Sequence, residues 1–308
     1  MTAAMALANG AYAGNKTGVT DSLNAGENRV DLAYASARLS PSGKISDAAS
    51  STAITTNATE TLLIASYRFG LTDRLNMGLL LGLSRKTNVE ASYTIASNNY
   101  VQTSKYAGAS DPVIGAQYLL ADKNNGNMGL IIYANFSPAT VASDEPVYEV
   151  KTNGVVTQAG VTGKSGRGST MTNLGTTVST PVALGDVFFD FNYSIYGEKS
   201  SSGVTSKYGS EAAFKFGLES RVSETATLRP YVHAVSVGSG YKGNDQQASY
   251  SKYDLGLEAI NDVSKNVSLS VIGEYNSINN VAFNYANGNK YTWSATGYSL
   301  GLRAMFFF

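Results

Sequence analysis

Cysteine is missing from all 308 residues of the sequence, and charged residues make up only 15% of it. The absence of cysteine excludes disulfides, thiolate metal sites and cysteine nucleophiles. The 23 basic residues are balanced by 23 acidic ones, so the chain lacks the positive excess that nucleic-acid binding needs. We therefore expect no nucleic-acid partner, and we assign no cofactor or metal.

Long apolar stretches are also missing. No run reaches the roughly 18 residues that indicate a transmembrane helix. Proline and tryptophan are scarce, at 6 and 1 residues, whereas the chain has 31 glycines and 20 tyrosines. Glycine, tyrosine, serine and threonine suit strands and turns better than helices. The composition therefore favours an all-β chain.

Small apolar residues crowd the N-terminus. Ala11-Tyr12-Ala13 has the A-x-A form of a signal-peptide cleavage site. We interpret 1–13 as the remnant of a signal peptide, with a short alanine-rich helix as the alternative. Residues 14–28 would then form a periplasmic N-terminal segment, and 29–308 the main domain.

Apolar and polar residues alternate with period two along most of the chain. Within 187–195 every odd position is aliphatic or aromatic, and Asp190, Asn192 and Ser194 fall between them. The same alternation runs through 212–222 and continues to the C-terminus. Such alternation predicts strands with one apolar and one polar face.

About twelve segments show this pattern, and most reach the roughly 9–11 residues that a tilted strand needs to cross a membrane. They lie near 29–40, 58–71, 75–86, 109–120, 128–138, 170–181, 186–198, 208–222, 226–238, 248–260, 266–277 and 292–308.

The connections alternate between short turns and long loops. An even strand number with short turns at one end and long loops at the other is typical of outer-membrane barrels. The pattern therefore predicts a closed antiparallel up-and-down transmembrane β-barrel of about twelve strands in the bacterial outer membrane. The long loops are expected near 41–57, 87–108, 139–169, 199–207, 239–247 and 278–291.

A soluble β-sandwich would show the same alternation. It would have no reason for all the long loops to fall at one end. Tyrosine and phenylalanine also recur near the ends of the apolar stripes, as in the aromatic girdles at membrane interfaces. An open sheet edge in hydrocarbon would leave backbone groups unpaired, so a membrane barrel must be closed.

The last strand ends in Phe306-Phe307-Phe308. It resembles the C-terminal strand by which outer-membrane proteins are recognised for assembly. The resemblance implies that Phe308 is an assembly signal, and that the barrel-assembly machinery and outer-membrane lipid are partners.

Two further segments carry a narrower resemblance. Residues 67–78, YRFGLTDRLNMG, and 110–118, SDPVIGAQY, resemble the phenol-degradation meta-pathway transporter-like family. Membership would imply a narrow barrel of about twelve strands that passes small organic molecules across the outer membrane. The resemblance carries over no binding residues.

Several motifs have simpler interpretations than the chemistry they suggest. His233 is the only histidine, and Ser236, three positions later, points to the opposite face of a regular strand. Residues 160–165 resemble a P-loop but lack its first glycine and its strand–loop–helix setting. Residues 122–126 have too few ligands for a calcium loop. No catalytic cluster emerges, and we do not expect an enzyme.

Charged residues on the polar faces are expected to point inward, because a basic residue on the lipid face near the midplane costs about 2–4 kcal/mol. Their signs are mixed, which fits either a structural network or a weakly selective pore. Glu219 could pair with Lys215 or Arg221. The residues expected to line the lumen are Arg68, Asp111, Asp190, Glu211, Lys215, Glu219, Arg221, Arg229, His233, Asp254, Glu258, Glu274 and Arg303.

Twelve strands lie between the eight that leave a filled interior and the sixteen that leave an open channel. The leading hypothesis is an outer-membrane channel for passive uptake of small, uncharged organic molecules. The alternative is a lumen-closed barrel that acts as a surface enzyme or adhesin through its long loops.

Overall fold

The computed structural model describes residues 19–46, 51–123, 128–201 and 203–308. The expected signal-peptide remnant, 1–13, lies outside the described residues, as does the first part of the expected periplasmic segment. Within the described ranges the structure contains no helix long and apolar enough to cross a membrane.

The regular structure of these residues is a single sheet. Its strands are β1 (Asn28–Ser46), β2 (Ser51–Gly70), β3 (Leu75–Ile95), β4 (Asn98–Gly108), β5 (Val113–Ala121), β6 (Gly129–Ser137), β7 (Glu149–Thr152), β8 (Val155–Gln158), β9 (Gly163–Lys164), β10 (Met171–Val182), β11 (Gly185–Tyr196), β12 (Glu198–Ser201), β13 (Val204–Lys207), β14 (Glu211–Arg221), β15 (Ala226–Val237), β16 (Gly240–Lys242), β17 (Asp245–Gln247), β18 (Tyr250–Ser264), β19 (Val267–Asn284) and β20 (Lys290–Phe307).

Twelve of these strands close a ring in which every neighbouring pair is antiparallel. The ring closes where β20 pairs with β1, from Arg29 opposite Phe307 to Ser46 opposite Lys290. The predicted twelve-stranded closed barrel is therefore confirmed. Its order is β1, β2, β3, β5, β6, β10, β11, β14, β15, β18, β19 and β20.

The period-two pattern separates the inside of the barrel from the outside. On β18, Leu255 and Leu257 are 62% and 48% exposed on the outer surface. Asp254 and Glu258, on the alternate positions, are only 6% and 5% exposed inside. This arrangement suits a protein whose exterior meets lipid, because the large apolar residues form an outer belt and the charges avoid it.

Several strands run well beyond the membrane. The β1, β2 and β3 strands have 19, 20 and 21 residues, about twice the length that a membrane crossing requires. Among the described residues, the loops expected near 41–57, 87–108, 199–207, 239–247 and 278–291 are largely paired strand, so that expectation is wrong. Threonine, valine, isoleucine and tyrosine are frequent there and favour strands, although serine, asparagine and glycine are frequent too.

Inward-facing glycines make room for aromatic rings from the neighbouring strand. The ring of Tyr231 lies over Gly256, and the ring of Phe188 lies over Gly217, where a Cβ atom would collide with it. Both rings are buried. The two glycines therefore let aromatic side chains lie flat against the inner wall.

Candidate functional site

The interior of the barrel has two chemically different walls. Four neighbouring strands carry no charged residue on either face at the level of the outer apolar belt, in 75–82, 113–121, 129–137 and 171–182. We call the inner surface of these strands, β3, β5, β6 and β10, the neutral wall. At this level the inward charges lie on the remaining strands of the ring, which form the charged wall. Farther toward the long loops, Arg85 of β3 donates to Glu60 of β2 at 2.5 Å.

Amide side chains line the middle of the neutral wall. Asn135 donates to Asn173 Oδ1 at 3.0 Å, and Asn173 donates to Asn192 Oδ1 and to Ser194 Oγ at 3.0 and 2.9 Å. Asn135 Oδ1 and Gln117 Oε1 are buried acceptors without a hydrogen-bond partner in the described part of the chain. This wall can therefore offer hydrogen-bond acceptors but no charge.

Outer-membrane barrels have short turns on the periplasmic side and long loops on the extracellular side. By this assignment an apolar cluster lies on the extracellular side of these amides. It is built from inward side chains of five strands, so it spans part of the lumen. Along β5 the inward positions run from Val113 in this cluster through Gly115 to Gln117. Apolar surface and uncharged acceptors thus follow each other along one strand. The buried members of the cluster are Ala35, Leu62, Ile64, Leu80, Val113 and Ile272.

Glu258 is the centre of the charged wall. It accepts from Arg229 Nη1 at 2.5 Å, from Ser270 Oγ at 2.9 Å and from Arg303 Nη2. Arg229 also binds Glu219 through its Nε and Nη2 atoms. All four charged side chains are buried. Opposite charges are thus paired within a space that holds little water, as buried charges require.

A second group of polar side chains surrounds Glu274. Its carboxylate accepts from Tyr231 Oη at 2.6 Å and from Ser299 Oγ at 2.8 Å. The ammonium of Lys215 lies 3.8 Å from the centre of the Tyr231 ring. Lys215 therefore makes a cation–π contact, and no salt bridge between Lys215 and Glu219 is formed.

His233 belongs to the same wall. Its Nδ1 atom lies 2.9 Å from Asp254 Oδ2, and Asn276 donates to Asp254 Oδ1 at 2.9 Å. Ser236 is exposed on the opposite face of β15. Among the described residues no hydroxyl group is hydrogen-bonded to the histidine ring, so the geometry is that of a buried polar cluster.

The remaining inward acids also have partners. Asp190 accepts from Tyr133 and Thr177, and Glu211 accepts from Tyr196 and from Lys252 at 3.0 Å. Near the periplasmic end, Arg68 lies 4.0 Å from Asp31.

Arg221 differs from the other residues expected to line the lumen. Its side chain is exposed at the periplasmic turn, where it donates to the carbonyl oxygens of Ser223 and Glu224. A pairing of Glu219 with Arg221 is therefore wrong. The strand ends at Arg221, so the alternation no longer directs this side chain into the barrel.

Asp111 anchors the long loop over the extracellular end. Its carboxylate accepts from the backbone N–H groups of Thr140, Val141 and Arg167 at 2.9, 2.8 and 2.6 Å. The guanidinium of Arg167 donates to Ser137 Oγ at 3.1 Å. Both ends of the loop between β6 and β10 are therefore fixed to the rim of the neutral wall.

The segment before β1 enters the periplasmic mouth. Val19 is buried against Phe188 and Tyr231, on the far side of the barrel from β1. Thr20 Oγ1 lies 2.5 Å from Ser179 Oγ. The backbone N–H of Leu23 donates to Asn76 Oδ1 at 2.9 Å. Residues 19–24, which we call the mouth segment, therefore cross the lumen. No periodicity in these residues predicts this position.

An ion-pair cluster at the rim holds the mouth segment. Lys123 Nζ lies 3.4 Å from Asp21 and 2.9 Å from Asp186. Burial by itself lowers the pKa of Lys123, but the two carboxylates outweigh it and hold the pKa above its ordinary value. Lys123 therefore stays charged at neutral pH.

Other inward residues that the sequence did not single out are Arg29 and Asp31. They lie two positions apart on β1, and Arg29 Nε donates to Asp31 at 2.6 Å. The alternation along β1 is sufficient to predict them, since it places both residues on the inner face of the strand.

No protein-family model matches the sequence, and no curated protein matches it significantly. Solved structures do match. An outer-membrane channel from Pseudomonas putida F1 has a TM-score of 0.56, at 12% identity over 96% of this chain and 100% of that one. A Pseudomonas aeruginosa FadL homologue gives 0.48, at 9% identity over 91% and 90% of the two chains. The Ralstonia pickettii toluene transporter TbuX gives 0.42, at 9% identity over 92% and 90%. The first of these establishes that the chain has an outer-membrane channel fold.

Proposed function

We propose that the protein is a channel of the bacterial outer membrane for passive uptake of small, uncharged organic molecules. The observation that carries the proposal is the neutral wall. At the level of the apolar belt it offers a route along the inside of the barrel that is lined by apolar and amide groups and has no charge of its own. The likeness to an outer-membrane channel supports it at the level of the fold.

The charged wall supports the same selectivity. Its carboxylates already have hydrogen-bond partners, as Glu258 has in Arg229 and Arg303 and Glu274 has in Tyr231 and Ser299. A permeating ion would lose most of its water and would find these groups already paired. An uncharged molecule avoids that desolvation penalty, so the interior favours neutral solutes over ions of equal size.

The free acceptors of the neutral wall suggest which neutral molecules pass best. Gln117 Oε1 and Asn135 Oδ1 are buried and without a partner in the described residues. A hydroxyl group on the solute would satisfy them, and leaving them unsatisfied costs about 1–3 kcal/mol each. Val113 and Leu80 would contact the apolar part of the same molecule. Small hydroxylated organic molecules therefore fit best.

Passage would require the mouth segment to move. Val19 and Leu23 are buried in the periplasmic mouth, and the segment has no strand pairing of its own. The hydrogen bonds and the ion pair that hold it in the mouth can be broken without opening the barrel. We therefore assign residues 19–24 the role of the periplasmic gate.

Purified protein in liposomes tests the function. Swelling rates are compared for a small sugar alcohol and for an organic monoanion of similar size, with protein-free liposomes as the reference. The sugar alcohol should enter several-fold faster than the anion. Equal or faster entry of the anion would indicate a general porin. A rate equal to that of empty liposomes for every solute would indicate a closed barrel that acts through its loops.

A variant on the neutral wall locates the route. Gln117→Leu removes the free acceptor and should slow entry of the sugar alcohol. Ala116→Leu changes the lipid-facing position next to it and should leave entry unchanged. An unchanged rate for Gln117→Leu would exclude this wall as the route.

Assembly involves the C-terminal strand. The carbonyl and the N–H group of Phe308 bind Asn28 at the start of β1, and its ring is exposed on the outer surface. We propose that this ring is available to the barrel-assembly machinery and then to lipid.

A further inference from the structure

The outer surface changes character just above the apolar belt on β1 and β2. Tyr34 and Leu63 lie opposite each other and are the last large apolar residues of the belt on these strands. The next outward positions are Ser36 and Thr61, which are again opposite each other. On these two strands the boundary between hydrocarbon and headgroups therefore lies between these rows. On the neighbouring β20 the outward apolar residues continue to Tyr298, opposite Arg38, as expected for tilted strands.

Cationic residues follow beyond this boundary on β1, β3 and β4. Lys86 lies opposite Thr61, and one row farther out Arg38, Thr59, Asn88 and Lys105 follow one another across four strands. We call this group the outer cationic patch. Its members are Arg38, Lys86 and Lys105 with the hydroxyl and amide groups of Ser36, Thr59, Thr61 and Asn88.

A bulge on β3 creates the patch. The pairing of β2 with β3 shifts between Leu63 and Ile64, so that Leu83 is an additional residue. Before the bulge the odd positions of β3 face outward, and after it the even positions do, Lys86 and Asn88 among them. Without this bulge Lys86 would point into the barrel.

The three cations lack partners of their own. Each is exposed, and within the described ranges no carboxylate lies within 4.0 Å of Arg38, Lys86 or Lys105. The nearest outward acid by position is Glu90, one row beyond the patch. The cations therefore form an unneutralised group next to the membrane surface.

The patch is confined to one side of the barrel. In the described ring strands from β5 through β19, no outward position carries lysine or arginine. Exposed lysines on the extra strands outside the ring have acids beside them: Lys164 Nζ lies 3.1 Å from Asp144, and Lys242 Nζ lies 3.7 Å from Glu145. The three cations of the patch have no such acid among the described residues and lie together on adjoining strands, which points to an anionic partner.

We propose that the outer cationic patch binds the phosphorylated headgroup of an outer-leaflet lipid. Strands lie about 4.8 Å apart, so Arg38 and Lys105 are separated by roughly 14 Å with Lys86 between them. This span suits a headgroup with two phosphates. Arginine and lysine form strong charge-assisted hydrogen bonds with phosphate, and Tyr34 and Leu63 continue the surface downward for the acyl chains.

Native mass spectrometry of the whole protein in detergent tests the proposal. The probes are a bisphosphorylated, multiply acylated glucosamine disaccharide and the same lipid without its phosphates. The variant Arg38→Gln/Lys86→Gln/Lys105→Gln neutralises the patch. The control variant Lys44→Gln/Lys290→Gln neutralises two outward lysines at the tips of the hairpins. Gel mobility before and after heating verifies that each variant is folded.

The wild-type protein and the control variant should bind the phosphorylated lipid equally. The affinity of the patch variant for this lipid should be lower by a factor of about ten or more, since each cation near an anionic surface contributes to attraction. Equal binding by the patch variant, or equal binding of the phosphate-free lipid, would overturn the proposal. Displacement of the lipid by inorganic phosphate alone would identify a free-anion site instead. If the triple variant does not fold, Lys86→Gln and Lys105→Gln are compared singly with the control.

Discussion

Removing the charge of Glu258 tests whether the inner network stabilises the barrel. Glu258 contacts Arg229, Arg303 and Ser270. The side chains of Glu258, Arg229 and Arg303 are 7%, 9% and 7% exposed, so solvent hardly reaches these charges. In Glu258→Gln, Arg229 keeps Glu219, whereas Arg303 loses the carboxylate that it contacts. Breaking one partner of a buried ion pair costs about 3–5 kcal/mol. The amide oxygen can still accept one hydrogen bond, so we expect a loss of about 3 kcal/mol.

The measurement is the free energy of unfolding in lipid vesicles from denaturant titration, with gel mobility as the readout. Leu257→Ile, on the lipid face beside Glu258, is the control and should change stability by less than about 0.5 kcal/mol. The double variant Glu258→Leu/Arg303→Met removes both partners and should recover most of the loss, because no charge is left uncompensated at this pair. A Glu258→Gln protein as stable as the wild type would refute the reasoning, as would a double variant less stable than the single one.

Three further predictions follow from the same structure. Gly256→Ala should lower the unfolding free energy by about 1–3 kcal/mol, because the hydrogen bond to Glu274 holds the Tyr231 ring over Gly256. Gly273→Ala is the control and should be tolerated, because no atom lies near the added Cβ. Equal stabilities of the two variants would contradict this. Glu219→Leu deprives Arg229 of one carboxylate and should therefore be less stable than Phe216→Leu. The Phe216 side chain is 53% exposed on the lipid face, so its replacement removes no ion pair. Equal melting temperatures would count against an inward Glu219. Deleting residues 306–308 should reduce the amount of folded protein in the outer membrane, measured by gel mobility, and wild-type amounts would show that the C-terminal aromatics are dispensable.

The barrel could be predicted from the sequence because the alternation of polar and apolar residues within each membrane-crossing strand distinguishes its inner face from its outer face. On β18 the alternation of Asp254, Leu255, Leu257 and Glu258 suffices to place them inside or outside. The same reasoning predicts an inward Arg221 and is wrong there, because the strand ends at this residue and the periplasmic turn begins. It could not choose the partner of Glu219, because the pairing with Arg229 depends on which strands are neighbours.

Other features depend on contacts that leave no periodic signal. The mouth segment has no alternation, so nothing in the sequence showed that Val19 would pack against Phe188 and Tyr231. Asp111 looks like a lumen charge, yet it accepts hydrogen bonds from backbone N–H groups of the loop after β6, the first of them from Thr140, 29 residues later. The extended hairpins resemble loops in composition, because serine and asparagine are common in both.

A cysteine lock on the mouth segment tests the central claim most directly. The chain has no cysteine, so Thr20→Cys/Ser179→Cys introduces a single pair at positions whose hydroxyl oxygens lie 2.5 Å apart. Under oxidising conditions the disulfide should hold the segment in the mouth, and entry of the small sugar alcohol into liposomes should fall to nearly the rate of empty liposomes. Reduction should restore the wild-type rate. If the oxidised and reduced proteins admit the solute equally fast, with disulfide formation verified by mass, the solute does not pass through this lumen by way of the mouth segment.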